Sequence, residues 1–243
     1  MPDLTLAIET SNPTASGGTG SVCIGHPGTN TPSVILARAD LAPASRHDDA
    51  LMPAIDRVCR DAGARPRDLA RLAVSIGPGG FTSVRIAVST AKMIAEATGA
   101  PCVPVPTAIA AAHAAAMTFA DGTALAVLLG WKRSDVWRQR FSIRHRVAVP
   151  LDGGAIVPVE HVLANGDALI AEHRFRDAMV AAGIWPPSTR ATPPTFDARS
   201  VLEASFALPA VNGESLLPLY PREPEAVTKW RELKKTRPGP AGA

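Results

Sequence analysis

The segment best suited to chemistry is Gly77-Pro78-Gly79-Gly80-Phe81-Thr82-Ser83. It lies between a five-residue apolar run, Leu72–Ile76, and a helical pattern that continues to about Thr98. Glycines tolerate positive φ and let another backbone come close, and the N–H groups that open a helix attract anions. The corner is therefore a candidate anion site, with Thr82 or Ser83 able to satisfy the first helical N–H groups. The same residues also suit a tight strand-to-helix turn with no ligand, in which Gly77, Pro78, Gly79 and Thr82 shape the corner rather than react. No Gly-Lys-Ser/Thr follows, and the glycine spacing is not that of a dinucleotide fingerprint. A second candidate is cationic. Lys132, Arg133, Arg138, Arg140, Arg144 and Arg146 fall within 15 residues, with Trp131 and Trp137 among them and Asp135 opposing. Cations neutralise phosphates and tryptophan stacks on unpaired bases, which makes Arg138, Arg140 and Arg144 a candidate nucleic-acid patch. The alternative is a solvated edge hairpin whose charge prevents edge pairing. Nothing resembles the Gly-x-Ser-x-Gly elbow of a serine hydrolase.

The elements that must position these residues read as mixed α/β. Leu4–Glu9, Ser21–Gly25 and Ser33–Ala37 are short apolar strands separated by Gly- and Pro-rich corners, the pattern of a meander. A helix over Asp48–Ala62 has Leu51, Ile55, Val58 and Ala62 on one face, Ser45 or Asp48 to cap it and Gly63 to end it. Leu72–Ile76 suits a central strand. The helix after the Gly-rich corner ends at Gly99, Pro101–Val105 is a strand, and Thr107 caps a helix to about Met117. Ala124–Leu129 is a further strand, and Val136–Ile143 and Arg146–Val149 pair antiparallel. Asp167–Glu172 reads as a helix, Asp177–Gly183 as a helix or strand, and Trp185–Phe196, with four prolines, as a loop. Strands in a meander followed by alternating helices and strands define an α/β fold. The change of texture near 106–122 predicts a boundary between an N-terminal unit, 1–108, and a C-terminal unit, 109–243, whose last segment returns to the first.

The helix after the corner is apolar on two faces. Val84, Val88, Ala91 and Ala95 form one row; Ile86, Met93 and Ala97 form another. Such a helix is covered on both sides, by its own chain or by a partner.

Composition narrows the class. The 243 residues are 46% hydrophobic and 19% charged, enough for a sizeable core and against wholesale disorder. No apolar run reaches the roughly 20 residues of a membrane span, and no membrane role is expected. The first ten residues lack a basic segment and a long apolar stretch, so no secretory signal is expected. Cys23, Cys59 and Cys102 are scattered and odd in number, which predicts neither a disulfide framework nor a zinc site, and a reducing, cytoplasmic location. A net charge of +3 does not by itself indicate nucleic acid.

Four stretches together resemble the TsaB (YeaZ) family: Leu4–Glu9 with Thr10-Ser11, the helix Arg46–Ile55, Gly77-Pro78-Gly79-Gly80-Phe81-Thr82-Ser83-Val84-Arg85-Ile86, and the tail Leu217–Val227. The Gly-Pro-Gly-x-Phe-Thr-x-x-Arg-Ile stretch is the specific one. The resemblance covers residues 1–110 and 217–227 and is faint over 130–210. It implies a two-lobed actin-like ATPase (ribonuclease-H-like) fold and a part in making threonylcarbamoyladenosine, the modified adenosine beside the tRNA anticodon. It further implies a non-catalytic subunit that binds and stabilises a TsaD-like catalytic subunit through helices of the first lobe. A TsaE-like ATPase can join the pair, and the isolated chain can self-associate through the same surface. The expected contact residues are Leu51, Ile55, Val58, Phe81, Val84, Arg85 and Val88, and tRNA is met through the complex by way of Arg138, Arg140 and Arg144.

The resemblance also frames the question of catalysis. Actin-like ATPases hold magnesium and phosphate with an acid after the first strand and with Gly-rich corners. Glu9, Thr10 and Gly18 stand at such positions as a candidate vestigial nucleotide site, with Glu9 where the family has Asp, whereas Gly153-Gly154 opens no helix. Glu9 also suits a hydrogen-bonded structural acid. Catalytic relatives bind metal through two histidines four apart on a helix; here His113 has Ile109 and Met117 at those spacings. No cofactor is expected on this chain, with ATP and metal on the partner subunits. The alternative reading is an active ATP-dependent kinase or carbamoyl/acyl transferase of the same fold, and a third is a homodimer without a TsaD-like partner. The chain departs from the family pattern in a longer Ser11–Ser21 loop and in Gly130-Trp131-Lys132 where Asp-Ala-Arg is usual.

Overall fold

The computed structural model describes residues 4–11, 20–28, 33–41, 47–164, 166–222, 227, 230 and 231, with the backbone alone at 47–49. β1 (Thr5–Glu9), β2 (Ser21–His26) and β3 (Val34–Asp40) form the expected meander, followed by α1 (His47–Asp61). β4 (Arg71–Ser75), α2 (Phe81–Thr98) and β5 (Cys102–Val105) then alternate. The sheet order is β3-β2-β1-β4-β5, with β4 parallel to β1 and β5 parallel to β4.

Strand alternation sorts the first core into two layers. Leu6, Ile8, Val22, Ile24, Leu72 and Val74 point to the side covered by α1 and α2. Ala7, Cys23, Ala73, Val103 and Val105 point to the side covered by α3 (Thr107–Ala116) and α6 (Ala198–Ser205). The central strands are buried on both faces, which is why they read as unbroken apolar runs. Left-handed glycines end both outer helices, with Gly63 after α1 and Gly99 after α2, where the Gly99 N–H donates to the Ala95 carbonyl at 2.8 Å.

The second sheet contains β6 (Ala124–Lys132), β7 (Asp135–Arg144), β8 (Val147–Pro150), β9 (Ala155–Pro158) and β10 (Ala168–Ile170), in the order β10-β6-β7-β8 with β9 also on β7. One face carries Leu125, Val127, Leu129, Trp137, Phe141 and Ile143 against α3. The other carries Ala126, Leu128 and Val136 against α4 (Val159–Leu163) and α5 (His173–Ala181). α3 thus lies between the layers. Ala110 packs with the first sheet, while Ala108, Ala111, Ala112 and Ala116 pack with the second. The alanine run is explained by this double coverage, because only methyl-sized side chains let both neighbours approach.

Three local expectations are corrected, and one helix is new. Asp167–Glu172 is not a helix: its apolar core is only Ala168-Leu169-Ile170, and it pairs in parallel with β6 as β10. Thr107 does not cap α3. It is the first helical residue, and its hydroxyl bonds Ser75 Oγ at 2.9 Å. β7 is not an edge hairpin strand, because β6, β8 and β9 all pair with it. α6 has no counterpart in the sequence reading, although Asp197, whose carboxylate accepts from Arg199 N at 2.7 Å, followed by Val201 and Leu202 is a recognisable helix start. Ser45, the candidate cap of α1, lies outside the described residues. Among the described residues no helix is long and apolar enough to cross a membrane.

Because α3 has no slack on either side, Ala111→Leu will destabilise the fold by about 1–3 kcal/mol through overpacking. Urea denaturation of the variant beside an exposed control, Ala97→Leu on α2, checks this, with the control expected within about 0.5 kcal/mol.

Candidate functional site

The Gly-rich corner is a close-approach turn. Gly77 is left-handed at φ 103°. A Cβ on Gly79 would stand 2.1 Å from the Ser11 carbonyl oxygen, so no other residue fits without displacing the end of β1. The Gly80 N–H donates to that same carbonyl, the Thr10 hydroxyl donates to the Ser83 carbonyl at 3.0 Å, and Thr107 N–H donates to Gly77 O at 2.8 Å. Neither Thr82 nor Ser83 caps α2; the N-cap is Gly80, which has no side chain to do so, and Thr82 is exposed. The corner's backbone therefore serves to join β1, α2 and α3.

Glu9 stands at the carboxyl end of β1, the position where open α/β sheets bind ligands, and it is almost wholly buried. Its Oε1 accepts from Ser11 N and Ser11 Oγ, both at 2.6 Å, while Oε2 has no hydrogen-bond partner among the described residues. Burial raises the carboxyl above its ordinary range. The Ser11 hydroxyl and backbone and the Ser75 hydroxyl pull it part of the way back, and Asp197 pushes it further up. Thr10, Ser11, Ser75 and Thr107 complete this cluster and are equally buried. Gly18, the third candidate nucleotide residue, lies outside the described residues. Gly154 faces protein as well: a Cβ there would fall 2.2 Å from the Trp137 ring, and the segment leads into β9.

The expected contact surface needs correction. Leu51, Ile55, Val58, Val84 and Val88 are all inside the first core, none more than 5% exposed. The row Val84, Val88, Ala91 and Ala95 faces the sheet because β4 and β5 lie beneath it. Phe81 and Arg85 remain on the surface. The outward apolar residues of α1 and α2 are instead Met52, 47% exposed, Phe81, 46%, and Met93, 67%.

The cationic cluster also divides on folding. Arg140 forms a two-pronged pair with Asp167, Nε at 2.7 Å and Nη2 at 2.8 Å, and Arg138 pairs with Asp152 at 3.0 Å. Asp152 Oδ1 also accepts from the backbone N–H groups of Arg140 and Gly154. Trp137 is buried, and Trp131 lies 5.8 Å from Phe175. Arg144 and Arg146 are exposed at the β7–β8 turn, the opposite end of β7 from Arg133. The aspartates that neutralise the central arginines are distant in sequence, so counting neighbours overlooked them. Among the described residues no group of three His, Cys, Asp or Glu could hold a metal. His113 faces Glu203 at 3.8 Å, and the three cysteines are free and buried, with burial pushing the Cys23 thiol up to about 12.

A five-stranded sheet of order 3-2-1-4-5 with helices on both faces, joined to a second helix-covered sheet, defines an actin-like (ribonuclease-H-like) α/β protein. Residues 42–164 match the family model described as TsaD, tRNA N6-adenosine threonylcarbamoyltransferase, and the chain belongs to that family. The fold is that of YeaZ from Pseudomonas aeruginosa, with a TM-score of 0.68 and 22% identity over 90% of this chain and 100% of that one. A second structure, described as an uncharacterized protein with similarity to peptidase YeaZ from Pseudomonas aeruginosa, also gives 0.68, with 21% identity over 91% of this chain and 100% of that one. The TsaB (YeaZ) resemblance read from the motifs is borne out.

Two outcomes follow from the buried charges. A raised carboxyl stabilises the fold fully below its unfolded pKa, and that contribution is lost as pH rises through the folded value. Glu9→Gln, neutral throughout, will therefore gain stability relative to the parent as pH rises from about 4 to 8, read by urea denaturation across that range; parallel profiles would refute the assignment. Arg140→Ala will strand the Asp167 carboxylate, whose side chain is 2% exposed, and cost about 2–4 kcal/mol. The cost stays below that of a fully buried pair because Arg140 is 33% exposed. Arg144→Ala, on the surface, will change the same midpoint by less than about 0.5 kcal/mol.

Proposed function

We propose that this chain is a non-catalytic subunit in tRNA threonylcarbamoyladenosine biosynthesis, whose role is to bind and stabilise a TsaD-like catalytic subunit. The observation that carries the reading is the division of labour on α2. Its inner row already completes the first core, yet its outer row keeps Met93 two-thirds exposed, with Met52 of α1 and Phe81 also outward. Methionine and aromatic side chains are enriched where one protein covers another. The two helices touch each other on one side of the sheet, so their outer rows belong to one layer.

Family membership supplies the reaction, and the residues favour a supporting part in it. Glu9 is almost wholly buried, with its Oε1 held by the Ser11 N–H and hydroxyl. His113 lacks a histidine at the four-residue spacing of the catalytic relatives. In this reading ATP and metal are handled by the catalytic subunit and a TsaE-like ATPase, tRNA is met by the assembled complex, and the location is cytoplasmic.

The double variant Met52→Glu, Met93→Glu will weaken binding to the TsaD-like subunit by at least about tenfold, or roughly 1.4 kcal/mol, with an unchanged unfolding midpoint. Co-purification from the native cell and calorimetry of the pair measure it; undiminished affinity would refute the surface. Micromolar Mg–ATP binding with turnover by the isolated chain would instead establish the kinase or transferase alternative, and a stable self-complex with no TsaD-like subunit would establish the homodimer.

A further inference from the structure

The tail motif Leu217–Arg222 is left without a role by a surface built from helices alone. The chain from Val211 onward runs along α2. Val211 bridges Cys102 of β5, the Glu214 carbonyl accepts from Lys92 Nζ at 3.1 Å, and Leu216 is fully buried in the first core. Leu219 N–H then donates to Ile76 O at 2.7 Å, and the Leu219 carbonyl lies 2.9 Å from where a Cβ on Gly77 would stand. The next residue, Tyr220, lays its ring on Phe81, with centroids 4.9 Å apart and a tilt of 30°. The Arg85 guanidinium lies 5.1 Å from the same Phe81 ring. Beyond it, Arg222 Nη2 donates to the Asp135 carbonyl at 3.0 Å, at the start of β7 in the second sheet.

Phe81 is the first residue of α2, and that helix start has no side-chain cap. Orphan N–H groups at an uncapped start leave the first turn prone to fray. Phe81 and Arg85 are one turn apart on one face, so a ring fixed at Phe81 fixes both. We propose that Tyr220 is a positioning residue for the partner surface: by stacking on Phe81 it holds Phe81 and Arg85 in place at the open end of α2. The stacking is intramolecular and stands on its own, while its value for binding rests on the proposed partner role.

Hydrogen exchange on the isolated full chain, together with calorimetry against the TsaD-like subunit, tests this with Tyr220→Ala and Tyr220→Phe. Tyr220→Ala will speed exchange of the Val84–Val88 amides by up to about tenfold, the scale of one lost aromatic pair. It will leave Ala91–Thr98 and β4 unchanged and weaken subunit affinity by a similar factor. Tyr220→Phe, which keeps the ring, will restore both. Unchanged exchange and affinity in Tyr220→Ala would overturn the proposal. So would uniformly faster exchange through α1, α2 and β4, which makes Tyr220 a general stabiliser, or a Tyr220→Phe variant as impaired as Tyr220→Ala. If exchange responds as expected but the parent chain has no affinity for the subunit, the clamp on α2 is upheld and the partner reading falls.

Discussion

The contact between the end of β1 and the start of α2 is the constraint on which the rest of the structure depends. The Ser11 backbone fits against Gly79 only because that residue has no side chain, and its carbonyl then accepts the Gly80 N–H. That single approach fixes where α2 begins. From there, the helical repeat decides which residues meet the sheet and which meet solvent. The Ser75–Thr107 hydroxyl pair and the Thr107–Gly77 bond tie the same corner to α3. One junction thus sets the positions of the outer helix, the central strands and the helix between the two sheets. A glycine-rich loop at a helix start invites comparison with phosphate cradles. Here the Gly80 N–H and the Gly77 carbonyl are used within the protein, and Glu9, Thr10 and Ser11 beside them are buried.

The first sheet was legible from sequence because its central strands are unbroken apolar runs separated by turn residues, and because both helix ends carry glycine. The central strands and the ends of α2 fall within a residue or two of the reading. The helix faces were legible only in part. Periodicity identified two apolar rows on α2 but carries no sign to say which row meets the sheet; that follows from where β4 and β5 lie beneath it. Leu51, Ile55, Val58, Val84 and Val88, the contact residues that the resemblance implies, are core. Met93 stands in the second row of α2, whereas Met52 stands outside the apolar row of α1.

The second sheet was less legible for two physical reasons. Beside the long β6 and β7, its strands β8, β9 and β10 have four residues or fewer, so alternation and helical spacing cannot be told apart over such lengths. Its charges are neutralised across the sheet rather than along the chain. Asp152 and Asp167 reach Arg138 and Arg140 from separate connections, so a run of cations in sequence becomes a pair of internal ion pairs in space. What remains exposed lies at opposite ends of a strand of 10 residues and does not make one patch. The two central arginines of the cationic cluster thus belong to the scaffold, while Phe81 and Met93 stay outward on α2.

The course of residues 211–222 has a consequence for the order of assembly during synthesis. Chains emerge from the ribosome N-terminus first and fold as units when their contacts become available. Leu216 completes a core whose other members were made far earlier, and Val211 supplies the antiparallel neighbour of Cys102. A nascent chain that has already formed the first sheet still lacks its closing ridge along α2 until nearly all of the described protein has been translated. The surface of α2 that carries the exposed Met93 is therefore the last part of the first layer to acquire its finished border.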